Sequence, residues 1–473
     1  MNYSDDKFGN SGDDYFFDEK ELKEKIEKYR NLIAEGAIFI YMESIEELIE
    51  ACLDYDYTED GLYFTNALLE IAPYNSELWQ FKGIFLNNSF EFDEAYNCFN
   101  RALSMNPNDA ETLINKAMAE DNLGLVEEAM ESLETALRFE PGNEEAHFSL
   151  GVIYERDEKY DLAISHFKKA VEADPEYGEA FYELGYCYED TGNYEKSLEA
   201  YNKFLDLEPY SVTGWYNRGI IQIRLSNYKE AVDNFELALA LKEDFCNAWF
   251  NMGIALANLG QLTEALEAFQ KAAGLDKTDE AIFFNIGQIY EELDDLEGAI
   301  NNYTEAIKCK SDYFEAFLAR GFCFSSLGRL HMALKDYNTA IKLNDSSPDA
   351  WIAKGDLDLS LGKLDEAAES YKSALSTDPE NYQIWFKLAE IDLEIGNWTE
   401  GMTAYNECIK LNPSDANSYY GKAKVNFILS KTQEAIECLK NAFRLDPSIK
   451  KEFAKEYPEI KASKLFRKLL DEN

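Results

Sequence analysis

Asparagine side chains recur along this chain at a constant interval of 34 residues. Asn217, Asn251 and Asn285 are successive members of the series, and Asn115 lies three intervals before Asn217. A carboxamide offers both a donor and an acceptor, so it can hydrogen-bond the main chain of a peptide without reading its side chains. The series therefore predicts a row of peptide-binding amides, although a purely structural preference for asparagine at one repeated position would give the same pattern.

Apolar and aromatic residues flank the asparagine position at fixed offsets. The residues one place before it and three places after it include Tyr182, Tyr216, Phe250, Phe284, Tyr186, Ile220 and Ile254. If these side chains are exposed, they form an apolar stripe of the kind that marks interaction sites. The alternative is that they are buried between neighbouring repeats.

Residues with catalytic or metal-binding potential show no comparable pattern. The sequence has no glycine-rich phosphate loop, no HExxH zinc motif, no nucleophile elbow and no kinase signature. Its three histidines, His147, His166 and His331, lack a partner constellation, and its eight cysteines lack the spacing of a zinc site or a disulfide framework. Adjacent carboxylates such as Glu291 and Glu292 are typical of solvated helix faces in so acidic a chain. We therefore predict no enzyme activity, no cofactor and no metal.

The elements that position these residues follow from a 34-residue pattern, which runs from Ser76 to Ile449 in eleven units without insertion or deletion. Such a period predicts a solenoid of stacked supersecondary units. Each unit has a large or aromatic residue four places before a small one, as at Trp249 and Gly253.

The unit 246–279 predicts two amphipathic helices joined by a turn at Gly260, where a glycine can adopt a left-handed conformation. The small residue Gly253 on the first helix and the large Phe269 on the second predict large-against-small packing within one hairpin.

Two units replace apolar residues of the first helix with opposite charges. These are Lys116 with Glu120 and Lys354 with Asp358, four residues apart. We favour a structural interpretation, in which the lysine stem lies along the core and its partner at the rim. A contact with a ligand is the alternative.

Repeated in phase, this motif resembles the tetratricopeptide repeat family over about 42–449, with 42–75 similar to a degenerate first repeat. The eleven units and this first repeat together make twelve repeats. The resemblance implies an all-α fold, a right-handed α-α superhelix of antiparallel helix pairs in which the first helices line a concave groove. It also implies that the sixth position of each repeat, which holds the asparagines, faces that groove.

The asparagine row resembles the ladder that binds extended peptides in the repeat domain of O-linked N-acetylglucosamine transferases. We identify no transferase domain, so the resemblance carries over a binding mode alone. A second mode, the basic clamp with which chaperone-adaptor repeats capture an acidic C-terminal tail, is not expected here. The corresponding positions hold apolar residues such as Ile114 and Val152, and Glu111 stands at a helix start, so carboxylate capture would be opposed electrostatically.

The remaining segments are interpreted as a tail and two caps. We assign residues 1–18 to a disordered acidic tail and residues 19–41 to a capping helix. The degenerate repeat then spans 42–75, the eleven units span 76–449, and C-terminal capping helices span 450–473. The apolar residues assigned to the caps are Leu22, Ile26, Tyr29, Leu32 and Ile33 at one end, and Phe453, Tyr457, Ile460, Leu465, Phe466 and Leu469 at the other.

Charge narrows the class of partner. With 91 acidic against 45 basic residues, the formal net charge is −46, which opposes binding to nucleic acid or to an anionic membrane. A neutral to basic protein or peptide fits better. No apolar run is long enough to insert into a membrane, and the first residues lack the pattern of a signal peptide, so we expect a cytoplasmic protein.

These observations predict a non-catalytic interaction scaffold that binds a peptide segment of a protein partner along the concave groove. Two alternatives remain open. The chain could be a structural subunit of a larger or self-associated assembly, or it could recruit substrates for a separately encoded enzyme.

Overall fold

Each 34-residue repeat folds as two helices joined by a turn of two or three residues. This is a computed structural model, and it describes residues 19–458. The predicted tail 1–18, and Ile460, Leu465, Phe466 and Leu469 of the predicted C-terminal cap, lie outside the described residues. Within 19–458 the ordered elements are helices, and the chain divides into two compact units at Lys242 and Glu243.

The first unit contains a leading helix, a short 3-10 helix at Ile38–Ile40, and six helix pairs. The helices are α1 Glu19–Ala34, α2 Met42–Asp54, α3 Thr58–Ile71, α4 Ser76–Asn88, α5 Phe92–Met105, α6 Ala110–Asn122, α7 Val126–Phe139, α8 Glu144–Arg156, α9 Tyr160–Ala173, α10 Gly178–Asp190, α11 Tyr194–Leu207, α12 Val212–Arg224 and α13 Tyr228–Leu241.

The second unit contains six helix pairs and a closing helix. They are α14 Cys246–Asn258, α15 Leu262–Leu275, α16 Glu280–Glu292, α17 Leu296–Cys309, α18 Phe314–Ser326, α19 Leu330–Leu343, α20 Pro348–Ser360, α21 Leu364–Thr377, α22 Tyr382–Ile395, α23 Trp398–Leu411, α24 Ala416–Ile428, α25 Thr432–Leu445 and α26 Ile449–Glu456.

Consecutive helices of a pair pack along their lengths, and a turn this short makes them antiparallel. This confirms the expected all-α class built from antiparallel helix pairs. The first helix of a repeat begins at a capping residue: Asn75, Asp109 and Asn143 each accept a hydrogen bond from an amide of the following turn.

The first helix ends where the fifteenth position of the repeat adopts a left-handed conformation. Gly260 has the expected positive φ of 74°, and Gly396 ends α22 with φ of 89°. Phe90 adopts φ of 62° at the same position without the freedom of glycine. The turn geometry is therefore imposed by the repeat and not by glycine alone.

Contact between the helices of a pair depends on a small residue at the eighth position and a ring at the twenty-fourth. A Cβ atom added at Gly253 would lie 2.7 Å from the ring of Phe269, and one at Gly185 would lie 2.7 Å from the ring of Tyr201. The predicted large-against-small packing is confirmed, because at these two positions any side chain larger than that of glycine would meet the ring.

The tryptophan at the fourth position of a repeat forms a hydrogen bond with the turn that precedes the repeat. The indole nitrogen of Trp79 donates to the Pro73 carbonyl at 3.0 Å, and that of Trp249 donates to the Glu243 carbonyl at 2.9 Å. The bond therefore forms whether or not the turn contains proline.

The helices at the two ends of the described chain cover apolar surface. Leu22 and Ile26 of α1 are buried in one core with residues of α2, α3 and α4. At the other end, Phe453 of α26 is buried, with its ring centroid 5.8 Å from that of Phe443 and 6.3 Å from that of Tyr420.

Candidate functional site

The first helices of each unit present a surface that we call the first-helix face, formed by the fifth, sixth, ninth and twelfth positions of each repeat. Its amides and rings come from the predicted site residues. The first compact unit contains Asn115, Tyr182, Tyr186, Asn217, Tyr216 and Ile220. The second compact unit contains Asn251, Asn285, Phe250, Ile254 and Phe284.

The predicted asparagines are half-buried, and three of them form hydrogen bonds within their own compact unit. The Asn217 amide nitrogen donates to the Tyr182 hydroxyl at 2.9 Å, which joins neighbouring repeats. The amide nitrogens of Asn251 and Asn285 instead donate to the carbonyls of Asn247 and Ala281 on their own helices, at 2.9 and 2.8 Å. The amide of Asn217 is thus held differently from those of Asn251 and Asn285, although the three share one repeat position.

The fifth-position rings lie partly inside the helix pairs. The Tyr182 ring packs edge-on against Tyr201 and Phe204, with centroid distances of 5.8 and 5.2 Å. Phe250 packs on Phe269 at 5.7 Å, and Phe284 packs on Tyr303 at 5.4 Å. One side of each ring therefore contributes to the core while the residue remains half-buried.

Ninth-position side chains are more accessible. Tyr186 is 38% exposed and Phe322 is 55% exposed, whereas Ile220 and Ile254 are half-buried. The two interpretations offered by the sequence both hold in part, because the rings pack inside the repeats and still contribute to the first-helix face.

Lysine and carboxylate pairs of the first helices are held inside the repeats. Lys354 lies 2.9 Å from both Asp358 and the Ser370 hydroxyl of the second helix. Lys116 pairs with Glu120 at 3.1 Å, and the Ser132 hydroxyl donates to the same carboxylate at 2.7 Å. These contacts support the structural interpretation, but the carboxylates are buried and do not lie at the rim.

Two carboxyl groups that the sequence did not single out meet on the first-helix face of the first unit. Glu155 of α8 and Glu183 of α10 lie within hydrogen-bonding reach of each other. Burial, followed by the charge of Glu155, raises the pKa of Glu183 to about 8. Burial also raises the pKa of Glu155, while the hydrogen bond from Glu183 opposes that rise. The pair therefore holds a proton near neutral pH.

The pair lies close to further polar groups. Hydrogen bonding to Asp190 raises the pKa of Tyr160, burial followed by Asp190 raises the pKa of Tyr186, and the charge of Asp190 also raises the pKa of Glu155. A sequence signal for the pair existed, since Glu183 occupies the same sixth position as the asparagines. The position of Glu155 opposite it depends on how α8 packs against α10.

Two histidines line a pocket of about 370 Å³ in the first unit. The Nδ1 atoms of His147 and His166 are 3.2 Å apart, and Nε2 of His147 lies 3.2 Å from the Pro141 carbonyl, in the manner of the tryptophans at this position. Burial lowers the pKa of His147, and burial with the neighbouring imidazole lowers the pKa of His166 to about 4. Neutral imidazoles bonded to each other and to the chain have a structural role here.

Thiols contribute little reactive chemistry. Cys52, Cys98, Cys187, Cys323, Cys408 and Cys438 are buried, and the eight cysteines are unpaired. Burial raises the pKa of Cys52 to about 12, which disfavours the reactive thiolate. Over residues 19–458, no group of three or more histidine, cysteine or acidic side chains is arranged to hold a metal ion.

Within residues 19–458, no helix combines the length and the apolar character that a membrane span needs.

Comparison with known families gives one consistent result. Models described as tetratricopeptide repeat match residues 88–144, 121–177, 148–212 and 324–382, then 358–425, 246–279, 212–245, 281–313 and 416–449. Together these matches extend over well more than half of the chain. No curated protein matches significantly.

Several solved structures are similar to parts of the chain. YrrB, described as a TPR protein with an unusual peptide-binding site, is 25% identical, covers 40% of this chain and 97% of its own, and has a TM-score of 0.36. MamA from Desulfovibrio magneticus RS-1 is 21% identical, with coverage of 36% and 96% and a TM-score of 0.35. The Cut9–Hcn1 hetero-tetramer of the APC/C is 14% identical, with coverage of 84% and 92% and a TM-score of 0.34.

Proposed function

Because this chain belongs to the tetratricopeptide repeat family, we propose that it is a non-catalytic scaffold that binds a segment of a protein partner along its first helices. The observation that carries the proposal is the half-exposed first-helix face, where amides and aromatic rings stand side by side at repeated positions. Amides suit peptide main chain, and partly buried rings supply apolar contact area.

The acidic composition supports a neutral to basic partner. A net charge of −46 attracts a basic segment and speeds its encounter, and the attraction weakens as salt rises. Eight unpaired cysteines support a reducing compartment, and we place the scaffold in the cytoplasm.

An affinity pull-down from the native cell, read by mass spectrometry, tests the proposal. We compare the intact chain with the triple variant Asn217→Ala, Asn251→Ala, Asn285→Ala. The matched control is Asn97→Ala with Asn301→Ala, which removes exposed amides from the second helices α5 and α17. Circular dichroism establishes that all three proteins fold.

We expect a partner that the intact chain and the control recover and the triple variant loses. Recovery of the same partners by all three proteins would place binding away from the asparagines and contradict the proposal. A mass measurement on the purified chain addresses the assembly alternative, because a stable oligomer would make the first-helix face a candidate subunit interface. An enzyme among the recovered partners would favour the recruiting alternative.

A further inference from the structure

The eleventh position of the repeat holds a buried carboxyl group in three repeats. The three residues are Glu120, Asp358 and Asp392, each at most 2% exposed. In the repeats of Glu120 and Asp358, a lysine four residues earlier on the same helix supplies the opposite charge. The repeat 382–415, which contains Asp392, has Leu388 at that place. This repeat therefore buries an acid without the lysine that accompanies it elsewhere.

Asp358 shows how such a buried carboxylate is compensated. The ammonium nitrogen of Lys354 lies 2.9 Å from one carboxylate oxygen, and that of Lys363 lies 3.9 Å from the other. Lys354 also donates to the Ser370 hydroxyl at 2.9 Å, which holds the ammonium group in place. Both oxygens of this carboxylate thus face a cation, as a charge removed from water requires.

The next repeat replaces each of these three groups. Leu388, Asn397 and Ala404 stand at the corresponding positions. The amide nitrogen of Asn397 lies 3.4 Å from Oδ1 of Asp392, and the buried Oδ2 atom has no hydrogen-bond partner among residues 19–458. No lysine or arginine of the described chain forms an ion pair with this carboxyl group. An ionised carboxylate is unfavourable in such a place, and it takes up a proton instead.

A neutral side chain in another repeat has the same kind of donor. Gln222 occupies the eleventh position of repeat 212–245 and is buried. Its carbonyl oxygen accepts a hydrogen bond from the amide of Asn227 at 2.9 Å. Asn227 and Asn397 share the sixteenth position, where the repeat of Asp358 has Lys363. An asparagine there accompanies an uncharged group, whereas a lysine accompanies a carboxylate.

The helices packed around Asp392 do not supply the missing charge. The helix α23 lies against it, since a Cβ atom added at Gly401 would be 3.4 Å from the Cβ of Asp392. The charges that act on Asp392 from the neighbouring helices are those of Lys372 and Glu369 on α21 and of Glu400 on α23. Lys372 is paired with Glu369 at 3.2 Å, and Glu400 adds negative charge. Burial is the main cause that raises the pKa of Asp392.

We propose that Asp392 holds a proton while α22 and α23 are packed together, so that opening of this helix pair is coupled to release of the proton. The pair is then a pH-sensitive switch built into the second unit, and it operates whether or not a partner is bound. Its physical basis is the contrast with Asp358, whose lysines are absent from the repeat of Asp392.

The direction of the response follows from proton linkage. Opening returns Asp392 to water, where the pKa of an aspartic acid is about 3.9. Between that value and the higher pKa of the packed pair, each opening releases one proton, so the opening constant rises about tenfold per pH unit. The pair is therefore closed most firmly in acid. It opens more readily as the pH rises, until the carboxyl group of the packed pair ionises as well.

Hydrogen–deuterium exchange of the full chain, read by mass spectrometry, tests the switch because it measures the opening of individual helix pairs. Exchange is followed from about pH 4 to about pH 8 and corrected for the intrinsic rate of amide exchange. Peptides from 382–411 are compared with peptides from 348–377, which report the general effect of titrating exposed carboxylates.

Two variants remove the coupling in different ways. Asp392→Asn replaces the acid with a neutral amide, and Leu388→Lys introduces the lysine that Lys354 provides in the preceding repeat. The matched control is Glu394→Gln, an exposed residue of α22 whose substitution changes the net charge as Asp392→Asn does.

We expect the opening constant of α22 and α23 to rise with pH by about fivefold or more, relative to 348–377, in the wild type and in Glu394→Gln. Asp392→Asn removes this rise because no proton is left to release. Leu388→Lys removes it because the carboxyl group is already ionised beside the new cation. A rise that Asp392→Asn retains, or no rise in the wild type, would overturn the proposal. If Asp392→Asn does not fold, Leu388→Lys decides in the same way.

Discussion

At the scale of single residues, the sixth position of the repeat carries different chemistry in different repeats. It is an amide at Asn217, a carboxyl group at Glu183 and an ammonium group at Lys387. The helix places all three on the first-helix face, but the neighbouring repeat decides their partners. Asn217 bonds to Tyr182, Lys387 pairs with Asp356, and Glu183 meets Glu155. A repeat position therefore defines a location, and the contacts between repeats define its chemistry.

The Glu183 pair predicts a pH-dependent stability at this scale. The folded-state pKa of Glu183, about 8, lies above the value of about 4.3 in an unfolded chain. Its favourable contribution is therefore complete below about pH 4 and is lost as pH rises through about 8. We expect Glu183→Gln to gain stability relative to the wild type from about pH 5 to pH 9, by about 1–2 kcal/mol after screening.

Urea denaturation followed by circular dichroism at several pH values measures this difference. Glu199→Gln serves as the control, since an exposed carboxylate should leave the pH profile of the wild type unchanged. A constant difference in the unfolding midpoint between Glu183→Gln and wild type across this range would contradict the assigned pair.

At the scale of the helices, the approach within a pair depends on a small residue at the eighth position, which is glycine in most repeats. The ring of Phe269 fills the space beside Gly253, and the ring of Tyr303 does so beside Gly287. These rings also support the fifth-position aromatic residues of the first-helix face, such as Phe250 and Phe284. Packing inside the pair thus controls how far the candidate binding residues project.

Substitution of two glycines in one repeat tests this packing. Gly253→Ala places a Cβ atom 2.7 Å from the Phe269 ring, and we expect it to destabilise the fold by about 1–3 kcal/mol. Gly274→Ala lies in α15 of the same repeat with no atom within 4 Å, and we expect a gain of about 0.5–1 kcal/mol from the helix propensity of alanine. Unfolding midpoints that move in the same direction for both variants would contradict this account.

At the scale of the whole molecule, the charge of −46 is the dominant property. Chain cations neutralise part of the acidic surface through pairs such as Lys308 with Glu305 and Lys410 with Glu407. Acidic residues outnumber basic residues by 91 to 45, so the charges of the folded chain repel one another. The same excess favours a basic partner, in agreement with the proposed function.

Salt should therefore stabilise this protein. Raising sodium chloride from about 0.01 M to about 0.3 M shortens the screening length from about 30 Å to less than about 8 Å and weakens the repulsion between acidic groups. We expect the midpoint of thermal unfolding, measured by circular dichroism, to rise over this range. A neutral solute at equal osmolality provides the control, and a midpoint that falls with salt would refute the dominance of self-repulsion.

The sequence by itself determined the helix pairs, their register and their internal packing. Local periodicity identifies the buried stripe of each helix, and the constant interval repeats each contact, as between Gly253 and Phe269. It also indicated the positions of the candidate binding residues, such as Asn217 and Tyr186, whose role in binding remains a prediction.

Only the tertiary structure decided which side chains of neighbouring repeats meet. The distance from Glu155 to Glu183 along the chain carries no signal, because their contact depends on the packing of α8 against α10. Burial then changes the chemistry of the pair, since a carboxyl group removed from water retains its proton. The half-buried state of the fifth-position rings has the same origin. Sequence periodicity specifies each helix face, whereas contacts between faces and exclusion of water arise only when the repeats stack.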